Sequence, residues 1–116
     1  MSPATARTPA RRPAAARDMR PHAEQAATLL RALANEQRLM ILCNLSEGEL
    51  SVGELNARLP LSQSALSQHL AVLRETGIVT TRREAQVVFY SLSQGPAARV
   101  MGTLHDIYCS PRRGGA

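Results

Sequence analysis

The stretch LSVGELNARLPLSQSALSQHLAVLRETGIV, residues 50–79, constrains the fold more than any other part of the chain. Ser51 and Glu54 have the spacing of a capping box, and Leu50 with Leu55 forms the hydrophobic staple beside it. Pro60 closes that short helix, because the residue before a proline is pushed away from helical angles. Ser62 then caps a second helix, with Leu61 and Leu66 as a second staple, and Gly77 ends it. Two helices joined by a turn of about three or four residues form a helix-turn-helix.

The second of these helices has an unusual outer face. With Gln63 set at zero and about 100° per residue, Ser67 falls near 40°, Ala71 near 80°, Ser64 near 100° and Gln68 near 140°. Leu73, Leu66 and Leu70 gather between about 280° and 340° on the other side. Solvated faces usually favour Glu, Lys and Arg, whose straight side chains suit a helix. This one spends its surface on short neutral groups that both donate and accept hydrogen bonds. Such groups suit base edges in a DNA major groove: Gln pairs bidentately with adenine, Ser pairs with several bases, and a small Ala at the centre allows close approach. His69, near 240°, points away from this face and reads as a packing or hydrogen-bonding histidine.

The flanking segments complete a pattern. A first helix is expected from about Pro21 to Ala34, with Ala26, Leu30 and Leu33 as its stripe. Asn35 caps a second helix over about 36–46, which Gly48 ends. After the helix-turn-helix, VTTRR and VVFYSL read as two strands joined by Glu84-Ala85-Gln86. Val88, Tyr90 and Leu92 alternate with Val87 and Phe89. Arg82 and Arg83 then stand at a hairpin tip, within reach of phosphate or the minor groove. Gly95-Pro96 starts a fifth helix with the stripe Ala97, Val100, Leu104, Ile107 and Tyr108, stopped by Ser110-Pro111 after Cys109. The expected architecture is mainly α (α+β): a winged helix-turn-helix of five helices with a two-stranded β-wing over residues 21–109. Residues 1–20, rich in Arg, Pro and Ala, are expected to be a disordered arm, and residues 110–116 a flexible tail.

Composition narrows the function. The chain of 116 residues suffices for one small domain, and one Phe, two Tyr and no Trp demand an aliphatic core. No run approaches a membrane span. No apolar core follows the basic start, so no secretory signal is expected, and Pro3, Pro9 and Pro13 break the helix a transit peptide needs. The formal charge of +5 belongs to the ends: Arg7, Arg11, Arg12, Arg17 and Arg20 stand against Asp18, and Arg112 and Arg113 close the chain. A whole-chain charge argument for nucleic acid is therefore weak, but Arg58, Arg74, Arg82 and Arg83 against Glu75 alone make residues 58–83 locally basic. With no CxxC pair, no Gly-rich phosphate loop, no zinc-protease motif and only three His, no enzyme and no cofactor are expected.

At this point the sequence resembles the ArsR-type family of bacterial winged-helix repressors. ANEQRLMIL, SVGELNARLPLSQSALSQHLAVLRETGIV and RREAQVVFYSL match, in order, that family's second helix, helix-turn-helix and wing. The resemblance spans about residues 22–109. One departure is the wing tip, where many members have Gly and this chain has Glu-Ala-Gln. The resemblance implies a cytoplasmic bacterial homodimer built on the first and last helices, bound to pseudo-palindromic double-stranded operator DNA and released by an inducer. It also implies base reading by Gln63, Ser64, Ser67 and Gln68.

Metal inducers fit poorly. The thiolate site of arsenic and cadmium sensors lies at the start of the third helix, where this chain has LSVGEL. The zinc-type site needs ligands early in the last helix, where this chain has GPAARV, and the adjacent His105 and Asp106 diverge around a helix. Two cysteines remain. Taken alone, Cys43 shares a face with Leu39 and Leu42 and reads as a small buried hydrophobe, with Cys109 a terminal residue. Their setting, ILCNL and TLHDIYC, resembles the dithiol branch of the family, the BigR- and SqrR-type repressors that respond to sulfide-derived persulfides. That resemblance implies redox sensing by Cys43 and Cys109 with reactive sulfur species as inducer. Metal-responsive and general thiol-oxidation-responsive repressors are the alternatives.

Overall fold

The computed structural model describes residues 15–109. Five main helices and three strands follow one another as α1 (Ala23–Leu33), α2 (Glu36–Leu45), β1 (Leu50–Ser51), α3 (Val52–Arg58), α4 (Gln63–Glu75), β2 (Val79–Glu84), β3 (Val87–Leu92) and α5 (Pro96–Cys109). The local signals act where the sequence places them. Asn35 accepts a hydrogen bond from the Arg38 amide at the start of α2, and Ser62 accepts one from the Ala65 amide at the start of α4. Both halves of the Ser51–Glu54 capping box are made. Gly77 takes the left-handed angle (φ 75°) that turns the chain from α4 into β2.

The core is aliphatic. Ile41 and Leu42 of α2, Leu55 of α3, and Leu66, Leu70 and Leu73 of α4 are its most deeply buried side chains. Leu33, Leu45, Leu50, Ile78, Val79, Ala97 and Met101 surround them, and Tyr90 and Leu92 pack against the cluster from β3. No polar residue is buried as a whole among the described residues, although the Ser93 hydroxyl oxygen is shut off from solvent without a hydrogen-bond partner.

The sheet has three strands rather than two, ordered β1-β3-β2 and antiparallel throughout. β1 pairs Leu50 with Tyr90 and Ser51 with Phe89. Two residues carry no readable alternation, so this strand exists only because the staple of α3 brings Leu50 to the edge of β3. The hairpin β2–β3 closes from Glu84 paired with Val87, which leaves a two-residue turn of Ala85 and Gln86. Ala85 has φ 57°, the left-handed region that costs an L-residue about 1–2 kcal/mol.

Other differences concern the ends and the stripes. Of the arm expected over residues 1–20, residues 1–14 lie outside the described residues, while residues 15–19 are helical and lead through a 3-10 turn, Arg20–His22, into α1. Ala15 and Ala16 are strong helix formers, and Pro21 enters the next turn where its missing N–H costs nothing. The tail expected over 110–116 also lies outside the described residues. Leu30, Ile107 and Tyr108, assigned by periodicity to core stripes, are exposed, Tyr108 by 80%. Met101 takes the buried place on α5 instead.

Candidate nucleic-acid interface and thiol pair

The candidate recognition surface is built by α4 and held by its neighbours. Leu66, Leu70 and Leu73 pin one side of the helix to the core, and Gln63, Ser64, Ser67, Gln68 and Ala71 are all exposed on the other. None of the four polar side chains makes a hydrogen bond among the described residues, so all their donors and acceptors are available to a ligand. The turn before the helix is fixed by Asn56, whose Nδ2 donates to the Leu61 carbonyl at 2.8 Å. No sequence signal marks Asn56, because its partner lies across the turn and outside any capping pattern.

A second support comes from α2. The Arg38 guanidinium donates to the carbonyls of Ala32 (2.6 Å) and Arg31 (3.1 Å) at the end of α1. Its Nη1 lies 3.5 Å from His69 Nδ1. His69 is half-buried and turned away from the polar face. One arginine thus satisfies carbonyls at the end of α1 and ties them to α4.

The two wing arginines differ. Arg82 lies opposite Phe89, two pairs in from the turn, not at the tip. Its guanidinium sits 4.6 Å from the Phe89 ring centroid and forks onto Glu49, with 3.0 Å from Nε to Oε2 and 2.8 Å from Nη2 to Oε1. Glu84 stands 3.7 Å from Nη1. The hydrogen bond from Arg82 holds the Glu49 carboxyl below its ordinary pKa, and the same bond raises that of Arg82. Arg83, on the opposite face of the strand, is exposed and has no partner among the described residues.

Cys43 and Cys109 are free thiols, and both are exposed. Cys43 is therefore not the buried hydrophobe that its face suggested. On α2 the buried arc runs through Ile41, Leu42 and Leu45. Cys43 lies about 100° beyond Leu42, on the side of half-buried Leu39. That side opens into a cleft whose wall includes Leu39, Cys43, Leu104, His105, Tyr108 and Cys109. Partial burial raises the Cys43 pKa first, and the nearby Cys109 sulfur raises it further. Among the described residues no three His, Cys, Asp or Glu side chains gather as a metal set. No helix of the described residues is long and apolar enough to cross a membrane.

A capped helix pair, a neutral hydrogen-bonding face on its second helix and an antiparallel hairpin beside it define a winged helix-turn-helix protein. The pattern described as "Bacterial regulatory protein, arsR family" matches residues 35–81. The chain is 52% identical over 93 residues to the biofilm growth-associated repressor of Agrobacterium fabrum, covering 80% of each chain. It is 56% identical over 92 residues to the transcriptional activator HlyU of Vibrio cholerae, covering 79% of this chain and 85% of that one. Among solved structures, the transcriptional repressor BigR of Xylella fastidiosa superposes with a TM-score of 0.74 at 46% identity, covering 80% of this chain and 95% of that one. A homodimeric winged helix-turn-helix DNA-binding domain of Mycobacterium bovis superposes at 0.67 with 30% identity, covering 72% and 78%. The chain belongs to the arsR family of bacterial regulatory proteins. It is a DNA-binding transcriptional regulator, and not an enzyme.

Proposed function

We propose that the chain is a cytoplasmic homodimeric repressor that holds its operator when reduced and releases it when Cys43 and Cys109 are joined through sulfane sulfur. The observation that carries this reading is the shared cleft: the two cysteines of the chain stand on different helices, both accessible, and both line its wall. Repression is supported by the BigR-type relatives and by the dithiol setting of the two residues. Dimerisation is supported by the apolar side chains that α1 and α5 leave in water, Leu30 (56% exposed), Ile107 and Tyr108. Apolar side chains of this size left in water are available for burial against a second copy.

In this reading Gln63, Ser64, Ser67 and Gln68 contact base edges and Arg83 contacts backbone phosphate. The sulfur chemistry balances without a further oxidant. One cysteine thiolate attacks an inner sulfur of an organic polysulfide, forming a new S–S bond and expelling an alkyl thiolate. The second thiolate attacks the sulfur attached to the first cysteine and expels an alkyl persulfide. The polysulfide is reduced, the two cysteines are oxidised, and the bridge keeps one extra sulfur. A tie between α2 and α5 joins the helix that supports α4 to the helix with the exposed dimer face. It therefore changes the spacing of the two reading helices, which must enter major grooves about 34 Å apart together. A loss of about 2–3 kcal/mol in operator affinity derepresses by roughly 30–150-fold.

The test is intact-mass spectrometry beside operator binding, for the wild type, Cys43→Ser and Cys109→Ser, after an organic tetrasulfide and, separately, hydrogen peroxide. The expected wild type gains sulfur within one chain and releases DNA, while each single variant stays bound. Either variant releasing DNA as the wild type does would sink the dithiol mechanism. Release by peroxide alone, with loss of two protons and no added sulfur, would favour a general thiol-oxidation switch.

A further inference from the structure

The wing carries four charged side chains in a small area, and they cancel: Glu49 and Glu84 against Arg82 and Arg83. Glu49 is not part of the hairpin. It stands just before Leu50, whose pairing with Tyr90 holds this segment against β3. The sheet therefore presents the Glu49 carboxylate to Arg82 from a fixed position. The guanidinium uses its fork on both carboxylate oxygens and lays its plane near Phe89, two contacts that a planar, delocalised cation makes well together. A DNA phosphate that took Arg82 would leave the Glu49 carboxylate unpaired beside a polyanion. Arg83 carries no such restraint.

We infer that Glu49 sets the sequence-independent affinity of DNA binding: it occupies Arg82 in place of phosphate and so limits the wing's grip on any duplex. Phosphate contacts add affinity for every sequence equally, whereas base contacts distinguish sequences. Removing one phosphate contact from each wing lowers binding to every duplex by the same factor and leaves discrimination to α4. The inference rests on the DNA-binding reading of the wing, and not on the thiol chemistry.

The experiment compares reduced wild type, Glu49→Gln, Arg82→Gln, Arg83→Gln and the Glu49→Gln/Arg82→Gln double variant. Each is titrated with a random-sequence duplex and with a duplex enriched from a random pool by the wild type, between about 50 and about 200 mM salt. Glu49→Gln frees Arg82. Its binding to the random duplex is expected to tighten, and the slope of log K on log salt to steepen by about 0.9 per phosphate gained, an additional loss of about 3.5-fold across that salt range. The enriched duplex is expected to tighten by the same factor, so the preference for it stays unchanged. Arg82→Gln in the double variant is expected to remove the gain, and Arg82→Gln alone to change the slope less than Arg83→Gln does. An unchanged or shallower slope in Glu49→Gln overturns the inference, as does an Arg82→Gln slope change equal to that of Arg83→Gln. A merely structural role for the Glu49–Arg82 pair would move the melting temperature without steepening the salt slope. A wild type that binds neither duplex would remove the DNA-binding reading and this inference with it. A wild type that binds both, with an unaltered Glu49→Gln slope, removes the inference alone.

Discussion

Replacing Gln68 by Ala is the sharpest probe of the proposed reading surface. Gln68 is exposed and its amide makes no hydrogen bond among the described residues. Its loss leaves nothing unpaired in the free protein, so stability should stay within about 0.5 kcal/mol of wild type. A good bidentate base contact is worth about 1–3 kcal/mol. A symmetric dimer loses it twice, so operator affinity should fall by about 2–6 kcal/mol, at least roughly 30-fold. Binding to random duplex should hardly change, because phosphate contacts dominate there. Leu66→Ala supplies the contrast on the same helix: Leu66 is fully buried, and its truncation should cost about 2–5 kcal/mol of folding stability. Competitive anisotropy on operator and random duplexes, beside thermal melts, reads all three quantities. Equal losses on both duplexes, or a Gln68→Ala melting drop like that of Leu66→Ala, would place the reading surface elsewhere.

Cys43 titrates above the ordinary thiol value because of burial and then Cys109, so at neutral pH little of it is thiolate and its alkylation should accelerate as pH rises; Cys109→Ser removes the second cause and should shift that pH-rate curve to lower pH. No shift in the curve would show that the two sulfurs do not sense each other. Glu49 has a lowered pKa from the Arg82 hydrogen bond, so the pair's contribution should be present above the unfolded carboxyl range near about 4.3 and be lost as pH falls through the folded value. Carboxyl-carbon NMR should find Glu49 titrating lower in wild type than in Arg82→Gln. Ala85 holds a left-handed φ, so Ala85→Gly should relieve about 1–2 kcal/mol of strain against about 0.4–1 kcal/mol of unfolded-chain entropy, a net stabilisation visible in thermal melts.

The helix-turn-helix was legible because its determinants are local. A cap needs a serine and an amide three residues on, and the Ser51–Glu54 box and the Ser62 and Asn35 caps stand as their spacing requires. The polar face of α4 was equally legible, since one turn of helix fixes which side chains share a side. Periodicity says which residues share a face, but not what covers it. Leu30, Ile107 and Tyr108 follow helical spacing and still face water, and Cys43 shares a face with Leu39 that opens into a cleft instead of the core. What tertiary structure alone decided are meetings between distant segments. Arg82 finds Glu49 across 33 residues, Arg38 reaches His69 across 31, and Leu50–Ser51 becomes a strand only because β3 passes beside it. None of these leaves a repeat or spacing in the sequence, because each depends on where the aliphatic core sets the helices and the wing.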